Sequence, residues 1–262
     1  AIGGGSVIDL AKSIIYKLAK QDAALPFFIA APTTAGSGTE ATHFAVLYQE
    51  GKKLSLVHPR LLPGLVILDP ELTITQPAYQ AAVSGIDAFC QAVESFWSKN
   101  AGTVSREFSA AAIRLWIKYY HAAIRHPGIE NCEGMLQAAH LAGKAINLTR
   151  TTGPHALSYY LTSNYGIPHG QAVAIFLPLF FLYNQPGKEL LDLFRAADPA
   201  EAAELVRTWI QEAGLSVTFE GLGIDKKAVL PFLLDEINQE RFENNPVAFN
   251  REQLTELIVN YC

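Results

Sequence analysis

Two histidines, His155 and His169, stand in a run that is otherwise apolar, small or hydroxylated (TTGPHALSYYLTSNYGIPHGQA, residues 151–172). One acid, Asp87, stands alone in a helical pattern rich in alanine and aromatic residues (GIDAFCQAVESF, residues 85–96). Such groups need partners, because burying them unpaired is costly. Two neutral imidazoles and a carboxylate form an N/N/O ligand set that a divalent cation such as Fe2+ or Zn2+ accepts, with a position left open for a substrate oxygen. Any fold for this chain has to satisfy these three side chains.

The remaining composition narrows the class. A chain of 262 residues, 50% hydrophobic and 17% charged, can bury one large core or two moderate ones. A net charge of −5 without a Lys/Arg run argues against nucleic acid or an anionic membrane as partner and favours a small molecule. The most apolar window, residues 172–183 (AVAIFLPLFFLY), is too short to span a bilayer and contains Pro178, so it reads as buried core. Cys90, Cys132 and Cys262 are odd in number and lack CxxC spacing, which suits a reducing cytoplasm. No signal peptide is visible. The chain opens on Ala1, two residues before a glycine run that should follow a complete strand; a fragment lacking preceding α/β structure is the expectation.

In chain order, residues 1–20 read as the end of a strand, a glycine-rich turn, and a helix whose apolar positions Val7, Leu10, Ala11, Ile14, Ile15 and Leu18 keep helical spacing. Free N–H groups at such a helix start suit a pyrophosphate. A buried strand, residues 27–31, should stop at Pro32 and open into a loop where Thr33, Thr34 and Ser37 can hydrogen-bond a ligand, or where Ser37 or Thr39 caps a helix. Residues 44–48 and 54–57 read as a hairpin turning at Glu50-Gly51, and 65–68 as a further strand. Strand signals vanish from about Pro77. The expected division is therefore 1–76, the remainder of an α/β domain, and 77–262, all helical. Residues 78–98 are one or two helices; if Ser84 caps the second, Asp87 falls in its first turn, where the helix dipole alone would stabilise it. Asp87 and Gln91, four apart, share a face. His155 and Tyr159 likewise share a face one turn apart, and Pro168 fixes the approach to His169. His43, His58, His121, His126 and His140 read as surface or packing residues, since none has a second candidate ligand at useful spacing.

Several motifs resemble the iron-containing (group III) alcohol dehydrogenase family, which shares its fold with dehydroquinate synthase and glycerol dehydrogenase. GGGSxxDxAK matches at Gly3, Gly4, Gly5, Ser6, Asp9 and Lys12, and PTTAGSGTE is similar to the family's PTTAGTGSE. In the family's GxDAxxHAxE, Gly85, Asp87, Ala88, Ala92 and Glu94 match while Gln91 replaces the histidine ligand. The fourteen-residue step from His155 to His169 and the closing PHG also fit. The resemblance implies a truncated Rossmann-like dinucleotide-binding α/β domain followed by an all-α metal-binding domain, dehydroquinate synthase-like, with the active site between them. It implies Asp87, His155 and His169 as metal ligands and catalytic centre. It places Gly3, Gly4, Gly5, Ser6, Asp9, Thr33, Thr34, Ser37 and Lys53 around NAD(H) or NADP(H), with missing N-terminal strands carrying the adenosine side. Tyr159 stands where the family often has a second histidine. The expected activity is hydride exchange between the nicotinamide and a small aldehyde or alcohol by a cytoplasmic homodimer. The segments around Asp87, Arg150 and Arg241 look most like the phosphonoacetaldehyde reductase branch, whose substrate needs cations; Lys144, Arg150 and Arg241 could supply them, with Gln91 and Tyr159 also at the substrate. Two alternatives stay open: a dehydroquinate-synthase-like lyase on the same scaffold, and a non-catalytic binding protein with a decayed metal site.

Overall fold

The computed structural model describes residues 1–21, 24–49 and 52–262, with the side chains of 48, 49, 52 and 53 outside the description. The expected Glu50-Gly51 turn lies outside the described residues, as does the Lys53 side chain. Among the described residues the chain begins with β1 (Ile2–Gly3), α1 (Gly5–Lys20) and β2 (Ile29–Pro32), followed by β3 (Phe44–Gln49), β4 (Lys52–Val57) and β5 (Leu65–Val66). From there it is helical: α2 (Ala78–Trp97), α3 (Thr103–Arg125), α4 (Ile129–Thr149), α5 (Gly153–Tyr165), α6 (His169–Ala174) and α7 (Leu177–Asn184). It closes with α8 (Lys188–Phe194), α9 (Pro199–Glu212), α10 (Lys226–Asp235), α11 (Gln239–Phe242) and α12 (Arg251–Tyr261). This is the expected α/β remainder followed by helices.

The small sheet is parallel in the order β1-β2-β5, and β3 and β4 pair antiparallel, Phe44 opposite Val57. β2 ends at Pro32 as expected, where a missing N–H costs little, but it starts at Ile29 rather than at 27, and Phe27 and Ile29 are exposed rather than buried. α1 forms as expected, but its buried stripe is only partly the expected one: Ile15 points inward as read, joined by Ile8 and Lys12, while Val7, Leu10 and Ile14 are exposed.

The helical core is built on α2, α3 and α4. Phe89 stacks on Trp116 with centroids 4.0 Å apart, Trp116 stacks on Tyr120 at 4.2 Å, and the Trp116 indole donates to the Gly85 carbonyl at 2.7 Å. α7 comes from the apolar window read as core: Leu177, Leu179, Phe180 and Phe181 are all fully buried, worth about 1.5–3 kcal/mol each. No described helix is long and apolar enough to cross a membrane. All three cysteines are free and buried.

Lys12 joins α1 to the loop that follows β2. It has no solvent exposure, and its ammonium, with three N–H groups, sits among five acceptors, the Thr39 carbonyl, Thr39 Oγ1 (3.0 Å), Thr42 O (2.7 Å), Thr42 Oγ1 (2.9 Å) and Phe44 O (2.8 Å). Burial pushes its pKa down to about 8, with Asp9 and Glu40 pulling the other way. Three backbone carbonyls of one loop thus depend on a single cation. Lys12→Met should cost roughly 2–4 kcal/mol in urea unfolding, since it strands those acceptors in a dry site. A loss below about 0.5 kcal/mol would show that water reaches them.

Candidate functional site

Asp87 sits in the middle of α2, not in a first turn. The reason is that residues 78–97 form one continuous helix, in which Ser84 is no cap: its hydroxyl bonds the Gln80 carbonyl one turn back and accepts from Gln76 Nε2 at 2.8 Å. The helix-dipole account of Asp87 therefore fails. Asp87, Gln91 and Glu94, at i, i+4 and i+7, share one buried face. Pro154 is the second residue of α5 and is followed by His155 in the first turn, and Pro168 directly precedes His169 at the start of α6. Gly170 allows the final approach, because a Cβ there would lie 2.0 Å from the Val83 carbonyl of α2.

Asp87 Oδ1 consequently lies 3.3 Å from His155 Nε2 and 3.9 Å from His169 Nε2, and one atom from each residue fits within 4.8 Å of the others. Burial acts to raise the Asp87 pKa, but His155 and His169 outweigh it and hold the carboxyl below its usual value. Burial likewise acts to lower the His155 pKa; Glu94 and Asp87, one on each side of the ring, reverse this and raise it to about 10. Two imidazoles and a carboxylate converging in a buried spot fit a divalent cation. The Gln91 oxygen, buried and without a hydrogen-bond partner, adds an unused acceptor beside them.

These residues line a cleft of about 400 Å³. Gly5 and Ser6 at the uncapped start of α1, Asp9, Ser37 and Thr39 form one end of it. Gly3, Gly4, Thr33 and Thr34 surround the same turn without lining the cleft; the Thr33 N–H bonds the Gly3 carbonyl at 3.0 Å. Asp9 is committed to the loops, accepting from Thr39 Oγ1 at 2.5 Å and from the Val46 N–H at 3.2 Å. Gln91 bridges the two halves: its amide donates to Asp87 Oδ2 at 3.1 Å and to the Ser37 carbonyl at 3.3 Å. Tyr159 stacks on His169 with centroids 5.9 Å apart.

Of the three candidate cations, two gather here. Arg241 lines the cleft and is only 6% exposed. The Arg150 guanidinium lies 4.2 Å above the Phe44 ring, which lines the cleft, and its pKa is pushed down by burial and then by Arg241. Arg150 occupies positive φ (68°), a conformation costing about 1–3 kcal/mol for a non-glycine residue, just after α4. Lys144 is not part of the group. Exposed on another face of α4, it sits 4.6 Å over Phe108, because six residues of helix do not bring 144 and 150 to the same side.

Sequence reading missed two supports. His43, read as a packing residue, donates from Nδ1 to Asn147 Oδ1 at 2.5 Å and leaves Nε2 to accept from Arg150 at 3.5 Å. Glu94 was a motif match with no role, yet it accepts from His155 Nδ1. Its i+7 spacing from Asp87 was the available signal.

Sequence comparison matches residues 1–70 to the profile described as iron-containing alcohol dehydrogenase, and residues 81–261 to that of the Fe-containing alcohol dehydrogenase family, C-terminal. Similar proteins include long-chain-alcohol dehydrogenase 1 of Geobacillus thermodenitrificans, 31% identical over 92% of this chain and 68% of that protein. Phosphonoacetaldehyde reductase of Streptomyces viridochromogenes is 30% identical over 98% and 74%. Among solved structures, sulfoacetaldehyde reductase from Bifidobacterium kashiwanohense in complex with NAD+ superposes with a TM-score of 0.90 at 30% identity, covering 100% of this chain and 75% of that one. With both profiles matched in order and the helical one alone spanning more than half its length, the chain belongs to the iron-containing alcohol dehydrogenase family.

Proposed function

We propose that the protein is a metal-assisted, NAD(P)-linked reductase of a small aldehyde carrying a tetrahedral oxyanion, with phosphonoacetaldehyde the first candidate. The observation that carries it is the convergence of Asp87, His155 and His169 in one cleft, with an uncapped helix start and the buried Arg241 also lining it and the half-buried Arg150 over the Phe44 ring. Asp87, His155 and His169 would hold Fe2+ or Zn2+, and the α1 N-terminus would take the dinucleotide pyrophosphate. When bound, the cation supplies polarisation of the carbonyl and the nicotinamide supplies hydride. The chain's residues do the rest. Gln91 turns Asp87 Oδ1 toward the histidines while tying it to the Ser37 loop, so the metal and nucleotide ends keep a fixed separation. Arg241 and Arg150 grip the anionic end: the Nη1 atom of each is buried without a hydrogen-bond partner, and the nearest carboxylate oxygen to Arg241, on exposed Glu240, is 3.9 Å away. Two similar proteins carry the names of reductases of two-carbon aldehydes with such an anion, phosphonate in one and sulfonate in the other.

Three outcomes are expected. His169→Ala should lose stoichiometric metal and activity together, by elemental analysis and NADH oxidation; full metal occupancy in that variant would remove His169 from the ligand set. Because His155 takes its extra proton with a pKa near 10, cation uptake at pH 8 should release about one proton, read by calorimetry in buffers of different ionisation enthalpy. Affinity should accordingly rise with pH up to about 10 and weaken as pH falls, and heats independent of buffer would show that His155 holds no extra proton at pH 8. Arg241→Ala or Arg150→Ala should lower kcat/KM for phosphonoacetaldehyde tenfold or more, roughly 1.5–3 kcal/mol, and leave propionaldehyde nearly unchanged. Equal loss on both aldehydes leaves a general alcohol dehydrogenase.

A further inference from the structure

Glu94 has no solvent exposure and no Lys or Arg partner among the described residues. Its Oε2 accepts from the Thr152 N–H at 2.7 Å, Thr152 Oγ1 at 3.0 Å and the His155 N–H at 3.4 Å. Two of these donors are backbone N–H groups, which cannot reverse. The third is also fixed in direction: the Trp97 indole, a donor only, bonds Thr152 Oγ1 at 2.9 Å, so the hydroxyl proton is left to point at Glu94. The other oxygen, Oε1, faces His155 Nδ1. A carboxylate has no proton to offer, so Nδ1 must carry one.

We propose that Glu94 is a positioning residue that keeps a proton on His155 Nδ1, so that the proton given up to a cation is the one on Nε2, the nitrogen beside Asp87 and His169. The inference rests on the reading of those three residues as metal ligands, since a protonated Nε2 cannot bind a cation. It also accounts for the charge. With both histidines neutral, Asp87 and Glu94 together carry two buried negative charges, which a divalent ion balances; a lone Asp87 would leave the site cationic.

The test uses a shape-conserving change. In Glu94→Gln the amide oxygen has to take the Oε2 position, facing two N–H groups and a hydroxyl, so its NH2 meets His155 Nδ1. The ring must then accept at Nδ1 and hold its proton at Nε2. Cobalt(II) added to the metal-free protein and followed by its visible absorption should bind Glu94→Gln about 10–100-fold more weakly than wild type, the range for second-layer partners of a ligand histidine. Glu94→Asp, which keeps an acceptor-only group, should recover part of that loss. Nitrogen-15 spectra of histidine-labelled protein should show Nδ1 protonated in wild type and unprotonated in Glu94→Gln. Equal cobalt affinity in wild type and Glu94→Gln overturns the proposal, and so does an unprotonated Nδ1 in wild type, which needs no variant to fold. If wild type itself binds no cobalt, the metal reading falls, and the Nδ1 signal still decides the claim about Glu94.

Discussion

A carboxylate sealed from water must be surrounded by donors, and that requirement at Glu94 shapes the chain around the site. Thr152 and His155 turn their N–H groups toward it, so the bend between α4 and α5 is drawn against α2. Two α2 side chains, the Trp97 indole bonded to Thr152 Oγ1 and Ser95 Oγ, which accepts from the Thr149 hydroxyl at 2.8 Å, brace the same bend. Arg150 accepts an unfavourable φ at this point, and the bonds on either side of it hold the strain. Once the bend is set, the His155 side chain has one direction available.

The second constraint is the seam between the α/β part and the helices. Gly38, at φ 60°, packs its carbonyl so closely on α4 that a Cβ on Gly143 would lie 2.4 Å away. Gln91 reaches across to the Ser37 carbonyl, and Asn147 accepts both the His43 N–H at 2.8 Å and its ring. Lys12 holds the loop rigid from the other side. The cleft is the space left between these ties, which explains why the glycine turn and the histidines face a common volume although their helices touch little.

Much of this was legible because local chemistry forces it. A glycine run before an apolar helix, proline at the first turn of α5, and an apolar window too short for a bilayer each have few alternatives. Errors arose where periodicity had two solutions. Apolar residues on both sides of α1 fit two stripes; spacing included Val7, Leu10 and Ile14, which packing leaves exposed, and passed over Ile8, which it buries beside the expected Ile15. Ser84 had a cap's chemistry in a segment that tertiary packing keeps helical. Lys144 and Arg150 looked equivalent as neighbouring cations, but the helix turns one outward and one in.

By itself the sequence determined the element types, the order of an α/β part before a helical one, and three ionisable side chains that are costly to bury unless they meet, because these follow from backbone chemistry and the cost of burying charge. Tertiary structure alone decided that Gln91 reaches the Ser37 carbonyl, that the His43 ring meets Arg150, and that Glu94 meets His155. Each depends on residues from 54 to 107 positions apart meeting within hydrogen-bond reach, a distance set by how helices pack and by no local pattern.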